Sequence, residues 1–166
     1  MTLVLYLGGA RSGKSRLALE RARTSGSDVV FVATGEPLDD EMADRIARHK
    51  AERPAAWVTV EEPVELERSL ADAPREATVL VDCLSLWVAN VFETSPAEEI
   101  AERAAVFAVG RAGLTIAVTN EVGLGIVPDN ELARRYRDVL GRVNATWAAA
   151  ADEAYFVVAG RALRLE

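Results

Sequence analysis

Short, mostly apolar runs alternate along the chain with longer amphipathic stretches. Each apolar run has the length of a single strand, and the runs cover residues 3–7, 29–33, 57–60, 78–82, 114–119 and 155–159. Most are continuous rather than alternating with polar residues, which is typical of strands that are covered on both faces of a parallel sheet. After the last run, Gly160 and Arg161 predict a turn into a further short stretch at 163–165.

The stretches between these runs have helical periodicity. They predict helices over residues 15–23, 39–51, 63–70, 84–92, 96–109 and 131–151, with Pro63 and Pro96 at starts that tolerate proline. A cluster of Gly and Pro between 120 and 130 predicts a functional loop. Alternating strands and helices predict an α/β domain with a mainly parallel sheet and helices on both faces. We expect a single domain over residues 1–166.

Composition narrows the class of protein. The 166 residues are 50% hydrophobic and 27% charged, as in ordinary globular proteins. The net charge of −7 argues against nucleic acid as the main partner. The single cysteine, Cys83, excludes an intrachain disulfide. We find no signal peptide and no apolar run long enough to span a bilayer, so we expect a cytoplasmic protein without stable membrane insertion.

The strongest local motif lies between the first predicted strand and the first predicted helix. It fits the pattern G-x-x-x-x-G-K-[ST] and consists of Gly8, Gly9, Ala10, Arg11, Ser12, Gly13, Lys14 and Ser15. Glycines let successive backbone N–H groups point inward, and the helix N-terminus adds partial positive charge. Lys14 supplies a full charge to the phosphates, and the Ser15 hydroxyl is suited to bind Mg²⁺. The motif predicts nucleotide binding.

Asp82 is the predicted second half of this site, because it ends the apolar strand at 78–82. An acid at that place often holds Mg²⁺ beside a phosphate loop. The alternative is a cap for the helix that follows. We interpret the neighbouring Cys83 as a small buried hydrophobic residue.

The single histidine, His49, lies on a basic predicted helix. The spacing of Arg45, His49 and Arg53 predicts one shared face. A neutral imidazole is a competent nucleophile toward phosphorus, and the arginines are suited to bind phosphates. The local alternative is a solvated surface whose basic residues pair with Glu41 and Glu52.

The order of the motifs along the chain carries a resemblance. After the phosphate loop come Ala-Thr-Gly at 33–35, Arg-Ile-x-x-His at 45–49 and Arg-Pro at 53–54. Then follow Thr-Val-Glu-Glu-Pro at 59–63, Val-Asp-Cys-Leu-Ser-Leu-Trp-Val-Ala-Asn at 81–90 and Asn-Glu-Val-Gly-Leu-Gly-Ile-Val-Pro at 120–128. Over nearly its whole length the chain resembles the bifunctional adenosylcobinamide kinase / adenosylcobinamide-phosphate guanylyltransferase family of cobalamin biosynthesis. Tyr136 and Ser85 depart mildly from the pattern, where Phe and Thr are expected.

The resemblance implies two reactions. The first phosphorylates the aminopropanol hydroxyl of adenosylcobinamide with ATP or GTP. The second transfers GMP from GTP to that phosphate through a GMP–histidine intermediate, giving adenosylcobinamide-GDP and pyrophosphate. It also implies a P-loop NTPase domain of the RecA-like kind and a homo-oligomer, most simply a homotrimer, with Mg²⁺ as the cofactor.

Roles for individual residues follow from the same resemblance. His49 becomes the covalent nucleophile, with Lys14 as the other catalytic residue and Ser15 and Asp82 as metal ligands. The expected nucleotide contacts are residues 8–15, Ala33, Thr34, Gly35, Lys50, Ala51, Glu52, Arg53, Glu61, Glu62 and Asp82. The sequence does not distinguish Glu61 from Glu62.

Two other functions fit part of the pattern. A single-activity P-loop kinase for another small molecule needs Lys14, Ser15 and Asp82 but not His49. A non-catalytic nucleotide-binding switch binds GTP without transferring any part of it. Of the remaining motifs, Glu121 is predicted to contact the substrate, with a helix-capping or loop-structuring acid as the alternative. We interpret the three tryptophans as packing or interface residues.

Overall fold

The computed structural model describes residues 2–166, except for the side chain of Arg45. Seven strands and six helices are found in this part of the chain. The strands are β1 (Thr2–Gly8), β2 (Val29–Ala33), β3 (Val58–Glu61), β4 (Thr78–Asp82), β5 (Leu114–Asn120), β6 (Glu153–Val158) and β7 (Arg161–Leu165). The helices are α1 (Lys14–Arg23), α2 (Asp40–Ala51), α3 (Leu66–Asp72), α4 (Leu84–Val91), α5 (Ala97–Gly110) and α6 (Glu131–Ala150).

All strands form one sheet with the order β3-β2-β4-β5-β1-β6-β7. Every neighbouring pair is parallel except β6 and β7, which form an antiparallel hairpin at the edge. The carboxyl ends of β1, β2, β4 and β5 therefore meet at one edge of the sheet. Ligands bind at this edge in open α/β folds.

The core lies on both faces of the sheet, as the continuous apolar strands predict. One face packs Leu3, Leu5 and Val81 against the helices that carry Trp87 and Trp147. The other packs Val4, Phe31 and Ile116 against α1. The four central strands, which are β2, β4, β5 and β1, are buried along most of their length and give the site a rigid base.

Some boundaries differ from the expectations. Trp57 precedes β3 instead of belonging to it, and α3 begins at Leu66, not at Pro63. The Glu62 carboxylate accepts hydrogen bonds from the backbone N–H groups of Val64 (3.0 Å) and Glu65 (2.9 Å), which holds the preceding segment in a turn. Helix α2 ends at Ala51, so Arg53 lies beyond the helix and not on a shared helical face with His49. The part of that face formed by the Arg45 side chain lies outside the described residues.

No helix in residues 2–166 is long and apolar enough to cross a membrane.

Candidate functional site

The phosphate loop connects β1 to α1 at the carboxyl edge of the sheet. Helix α1 begins after Gly13, and no side chain caps its first turn. The amino group of Lys14 donates a hydrogen bond to the Gly9 carbonyl (3.0 Å), so it lies folded over the loop. The Ser12 hydroxyl is buried and has no hydrogen-bond partner among the described residues. Uncapped amides, a lysine and a spare hydroxyl around one loop are a suitable setting for a phosphate.

Two glycines of this loop are required by the backbone. Gly13 has φ of 96°, a left-handed conformation that favours glycine. A Cβ added at Gly8 would collide with the Val157 carbonyl oxygen of β6. The loop is also held from outside, because the Gly160 N–H donates to the Ser12 carbonyl (2.8 Å). The hairpin of β6 and β7 thus supports the phosphate loop.

Asp82 lies opposite the start of α1, at the end of β4. The Ser15 side chain lies close enough to the Asp82 carboxylate to lower its pKa, as expected for two groups that share a metal ion. Burial raises the pKa of the Asp82 carboxyl, whereas the nearby charges of His49, Lys14 and Arg53 lower it. Helix α4 begins after Cys83 without a side-chain cap, so the alternative of Asp82 as a helix cap is wrong.

Cys83 has the structural role that we predicted. Its thiol is buried beside the Ser85 hydroxyl, with 3.0 Å between sulfur and oxygen. Burial raises the pKa of the thiol to about 11, so the thiol is protonated at neutral pH. It is therefore not a nucleophile.

His49 lies on α2 between two clefts. The first, the phosphate-loop cleft, has a volume of about 590 Å³ and is lined by Ala10–Arg16, Glu41, Arg48, His49 and Glu52. The second, the Asp82 cleft, has a volume of about 250 Å³ and is lined by Ala33, Gly35, Pro37, Met42, Ile46, His49, Lys50, Arg53, Glu61, Asp82, Cys83 and Leu86. Among the residues whose side chains are described, His49 alone lines both clefts.

Arg53 closes the inner wall of the Asp82 cleft. Its guanidinium lies 3.6 Å from the centre of the Phe31 ring and donates to the Thr59 hydroxyl (3.5 Å). Burial lowers the pKa of Arg53, while the charges of Asp82 and Glu61 raise it. This arginine therefore brings positive charge toward the sheet from a point beyond the end of α2.

The structure separates the two glutamates that the sequence leaves equivalent. Glu61 accepts a hydrogen bond from the Lys50 ammonium (3.0 Å) and lines the Asp82 cleft. The Glu62 carboxylate instead holds the turn before α3. Of the two glutamates, only Glu61 lines the Asp82 cleft.

Most of the other predicted contacts line the same two clefts, with four exceptions. Gly8 and Gly9 belong to the phosphate loop but line neither cleft. Ala51 is exposed and lines neither cleft. Thr34 is fully buried behind the Asp82 cleft, and its hydroxyl bonds the backbone of Cys83. Asn90, which supports Thr34 from α4, was not singled out from the sequence. The partners of the Asn90 side chain, the carbonyls of Thr34 and Pro63, are far from it in the sequence, so the sequence alone does not reveal this role.

Two other motifs take their plainer roles. The Glu121 carboxylate accepts a hydrogen bond from the Gly123 N–H, as a loop-structuring acid does. Trp87 and Trp147 are fully buried in the core.

Comparison with known proteins identifies the family. The model of the family described as cobinamide kinase / cobinamide phosphate guanyltransferase matches residues 4–165. The chain belongs to this family. It is 44% identical over 166 residues to the bifunctional adenosylcobalamin biosynthesis protein CobP of Pseudomonas aeruginosa, covering 98% of this chain and 96% of that protein. It is 40% identical over 181 residues to CobU of Salmonella typhimurium, which has the same description, covering 99% of each.

Membership of the cobinamide kinase / cobinamide phosphate guanyltransferase family confirms the predicted class of enzyme. The chain is a kinase and guanylyltransferase of adenosylcobalamin biosynthesis. The solved structures confirm the predicted P-loop NTPase fold. FlaH of Methanocaldococcus jannaschii superposes with a TM-score of 0.57 at 14% identity, covering 99% of this chain and 78% of FlaH. A KaiC-like protein of Pyrococcus horikoshii gives 0.52 at 16% identity, covering 93% and 70%.

Proposed function

We propose that this family member transfers GMP through a covalent bond to His49, next to a phosphate loop that also serves the kinase reaction. The observation that carries the proposal is that His49 borders both the phosphate-loop cleft and the Asp82 cleft. A nucleotide whose phosphates lie on the loop has its phosphorus atoms facing the helix that carries the imidazole.

In the kinase reaction, the aminopropanol hydroxyl oxygen of adenosylcobinamide attacks the γ-phosphorus of ATP or GTP. The bond from that phosphorus to the β-phosphate oxygen breaks, the hydroxyl proton passes to solvent, and the nucleoside diphosphate leaves. Lys14 and the amides at the start of α1 stabilise the charge on the transferred group. This step requires the phosphate loop and makes no covalent use of His49.

In the guanylyltransferase reaction, an imidazole nitrogen of His49 attacks the α-phosphorus of GTP. A P–N bond forms as the bond to the β-phosphate oxygen breaks, and pyrophosphate leaves. A phosphate oxygen of adenosylcobinamide phosphate then attacks the same phosphorus. The P–N bond breaks, its electron pair returns to the imidazole, and adenosylcobinamide-GDP is released. Lys50, Arg53 and Glu61 are the proposed nucleotide contacts from the Asp82 cleft.

The donor set fits Mg²⁺. The Ser15 side chain and the Asp82 carboxylate lie close together at the phosphate loop and offer two protein oxygens. Mg²⁺ prefers one or two protein oxygens together with phosphates and water, so this sparse set suits it. When bound there, it would neutralise charge on the phosphates during transfer.

Assembly is part of the proposal. Several large apolar side chains in the loop after β5 are exposed, among them Leu124 at 78% and Ile126 at 98%. Exposed apolar patches mark contacts with other molecules, and a second copy of the chain is one such contact. A homotrimer is the assembly that the family resemblance implies, and sedimentation of the purified protein measures it.

The test of the proposal is a label transferred from α-³²P-GTP. A label that is labile in acid and stable in alkali is a P–N bond, which the single histidine or one of the two lysines, Lys14 and Lys50, could form, so its loss in a histidine variant assigns it to His49. We expect this label on the native chain with Mg²⁺ and none on His49→Ala. Asp44→Ala is the control, since Asp44 is exposed on α2 and lines neither cleft.

An unlabelled native chain under saturating GTP would contradict the covalent step. A chain that phosphorylates adenosylcobinamide without becoming labelled would match a single-activity kinase. A chain that binds GTP and releases no pyrophosphate with the corrinoid present would match a nucleotide-binding switch.

A further inference from the structure

Thr34 lies directly after β2, at the carboxyl edge of the sheet, and its side chain is fully buried. Its hydroxyl accepts a hydrogen bond from the Cys83 N–H (2.8 Å) and donates one to the Cys83 carbonyl (2.7 Å). Its backbone N–H donates to the Asp82 carbonyl (3.3 Å). Three hydrogen bonds thus join one threonine to Asp82, which ends β4, and to Cys83, which follows it.

Asn90 of α4 supports this arrangement. One side-chain amide donates to the Thr34 carbonyl (2.8 Å) and to the Pro63 carbonyl (3.1 Å). The Glu62 N–H also donates to the Ala33 carbonyl (2.9 Å). The ends of β2, β3 and β4 are therefore held to one another by backbone hydrogen bonds and by the side chains of Thr34 and Asn90.

The hydroxyl of Thr34 is the unusual part of this network, because it donates and accepts within a single neighbouring residue. A valine in its place would have nearly the same shape but neither function. It would leave the Cys83 N–H without its partner in a buried place, which is unfavourable, and it would leave the Cys83 carbonyl with the Trp87 N–H as its remaining donor. The backbone at Cys83 would then shift to recover partners, and Asp82 is the residue attached to it.

We propose that Thr34 is a positioning residue, which fixes the Asp82 carboxylate against Ser15 through the backbone of Cys83, with Asn90 as its support. The inference rests on the proposed role of Asp82 in binding Mg²⁺. Groups that orient a metal ligand from behind typically change metal affinity by about 10–100-fold when they are removed. Thr34 thereby acts on the nucleotide through Asp82, because its hydroxyl is fully buried and already donates its proton to the Cys83 carbonyl.

The experiment compares Thr34→Val, Thr34→Ser and Thr115→Val with the native chain. Thr115 is the matched control, since it is also fully buried and its hydroxyl donates to the Ala108 carbonyl (3.2 Å) on α5. A fluorescent GTP analogue is titrated in EDTA and at increasing Mg²⁺. The measured quantity is the Mg²⁺ concentration at which half of the metal-dependent gain in affinity is reached. Thermal unfolding without nucleotide is recorded in parallel.

We expect Thr34→Val to raise this Mg²⁺ midpoint about tenfold or more, with the affinity in EDTA unchanged. Thr34→Ser keeps a donor and an acceptor, so it should restore the native midpoint. Thr115→Val should lower the unfolding temperature as Thr34→Val does but leave the midpoint unchanged. An Asn90→Leu variant should raise the midpoint by less than Thr34→Val, because it acts one bond further away.

An Asp82→Asn variant distinguishes the two levels of the argument. If it shifts the Mg²⁺ midpoint and Thr34→Val does not, the positioning role is overturned and the proposed metal site stands. If Asp82→Asn leaves the midpoint unchanged, the proposed metal site fails and the positioning role fails with it. Equal midpoints in Thr34→Val and Thr34→Ser would overturn the role of the hydroxyl.

Discussion

Helices α1 and α2 border the same phosphate-loop cleft, but the rest of the protein holds them very differently. Helix α1 buries four residues, Lys14, Ala18, Leu19 and Ala22, against the sheet. In α2, no residue with a described side chain is fully buried. The helix that brings the lysine is thus part of the core, and the helix that brings the histidine lies on the surface.

The difference corresponds to the two kinds of chemistry. Holding phosphates requires amides and a cation in fixed places, which a packed helix provides. A side chain that takes a group from one substrate and passes it to another, as we propose for His49, needs access to both substrates. A surface helix with His49 between two clefts provides that access, and we predict that it closes when nucleotide binds.

The largest expected effect comes from removing His49, the proposed nucleophile, while the phosphate loop is left intact. We expect His49→Ala to lower guanylyltransfer by about 10⁴-fold or more, since loss of a covalent nucleophile is among the largest single-residue effects. Phosphorylation of adenosylcobinamide should fall less than about tenfold, because that step does not pass through the imidazole. Separate assays of the two reactions measure the ratio. Equal losses in both would contradict the division between the helices.

Removing Lys14 should lower both activities instead of only one. We expect Lys14→Ala to lower kcat/KM of both reactions by about 10²–10³-fold, because the same charge holds the phosphates in each. The conservative Lys14→Arg variant controls for the loss of charge as distinct from geometry. A Lys14→Ala chain that loses only one activity would show that the two reactions use different phosphate sites.

A smaller effect compares the packing of the helices directly. Leu19→Ala on α1 should lower the free energy of unfolding by about 2–4 kcal/mol, as is usual for a buried leucine. Ile46→Ala on α2 should lower it by about 1 kcal/mol or less, since Ile46 is only half-buried beside the Asp82 cleft. Urea unfolding of both variants gives the two values. Similar losses would mean that α2 is as firmly packed as α1.

The framework of the fold could be predicted from the sequence because it depends on strong local signals. Continuous apolar runs such as those at 29–33 and 78–82 correspond to buried strands of a parallel sheet. The phosphate loop combines a fixed residue pattern with a strand before it and a helix after it. The position of Asp82 beside the phosphate loop could also be predicted, because Asp82 ends an apolar strand of the same parallel sheet.

Details that depend on tertiary contacts could not be read in this way. Neighbouring Glu61 and Glu62 have the same chemistry, and only the turn before α3 and the ion pair with Lys50 separate them. Pro63 fits the start of a helix, yet the capping by Glu62 delays α3 to Leu66. The burial of Thr34 depends on Cys83, which is 49 positions away in the chain. Such pairings arise when the sheet forms.

Hydrogen exchange of the backbone amides in α1 and α2, with and without Mg²⁺ and GTP, tests the central claim most directly. Exchange reports local opening, which is governed by how much of an element is buried. We predict slow exchange in α1 under both conditions, and fast exchange in α2 that slows when GTP is bound. Equal protection of the two helices without nucleotide, or no change in α2 on binding, would contradict the account.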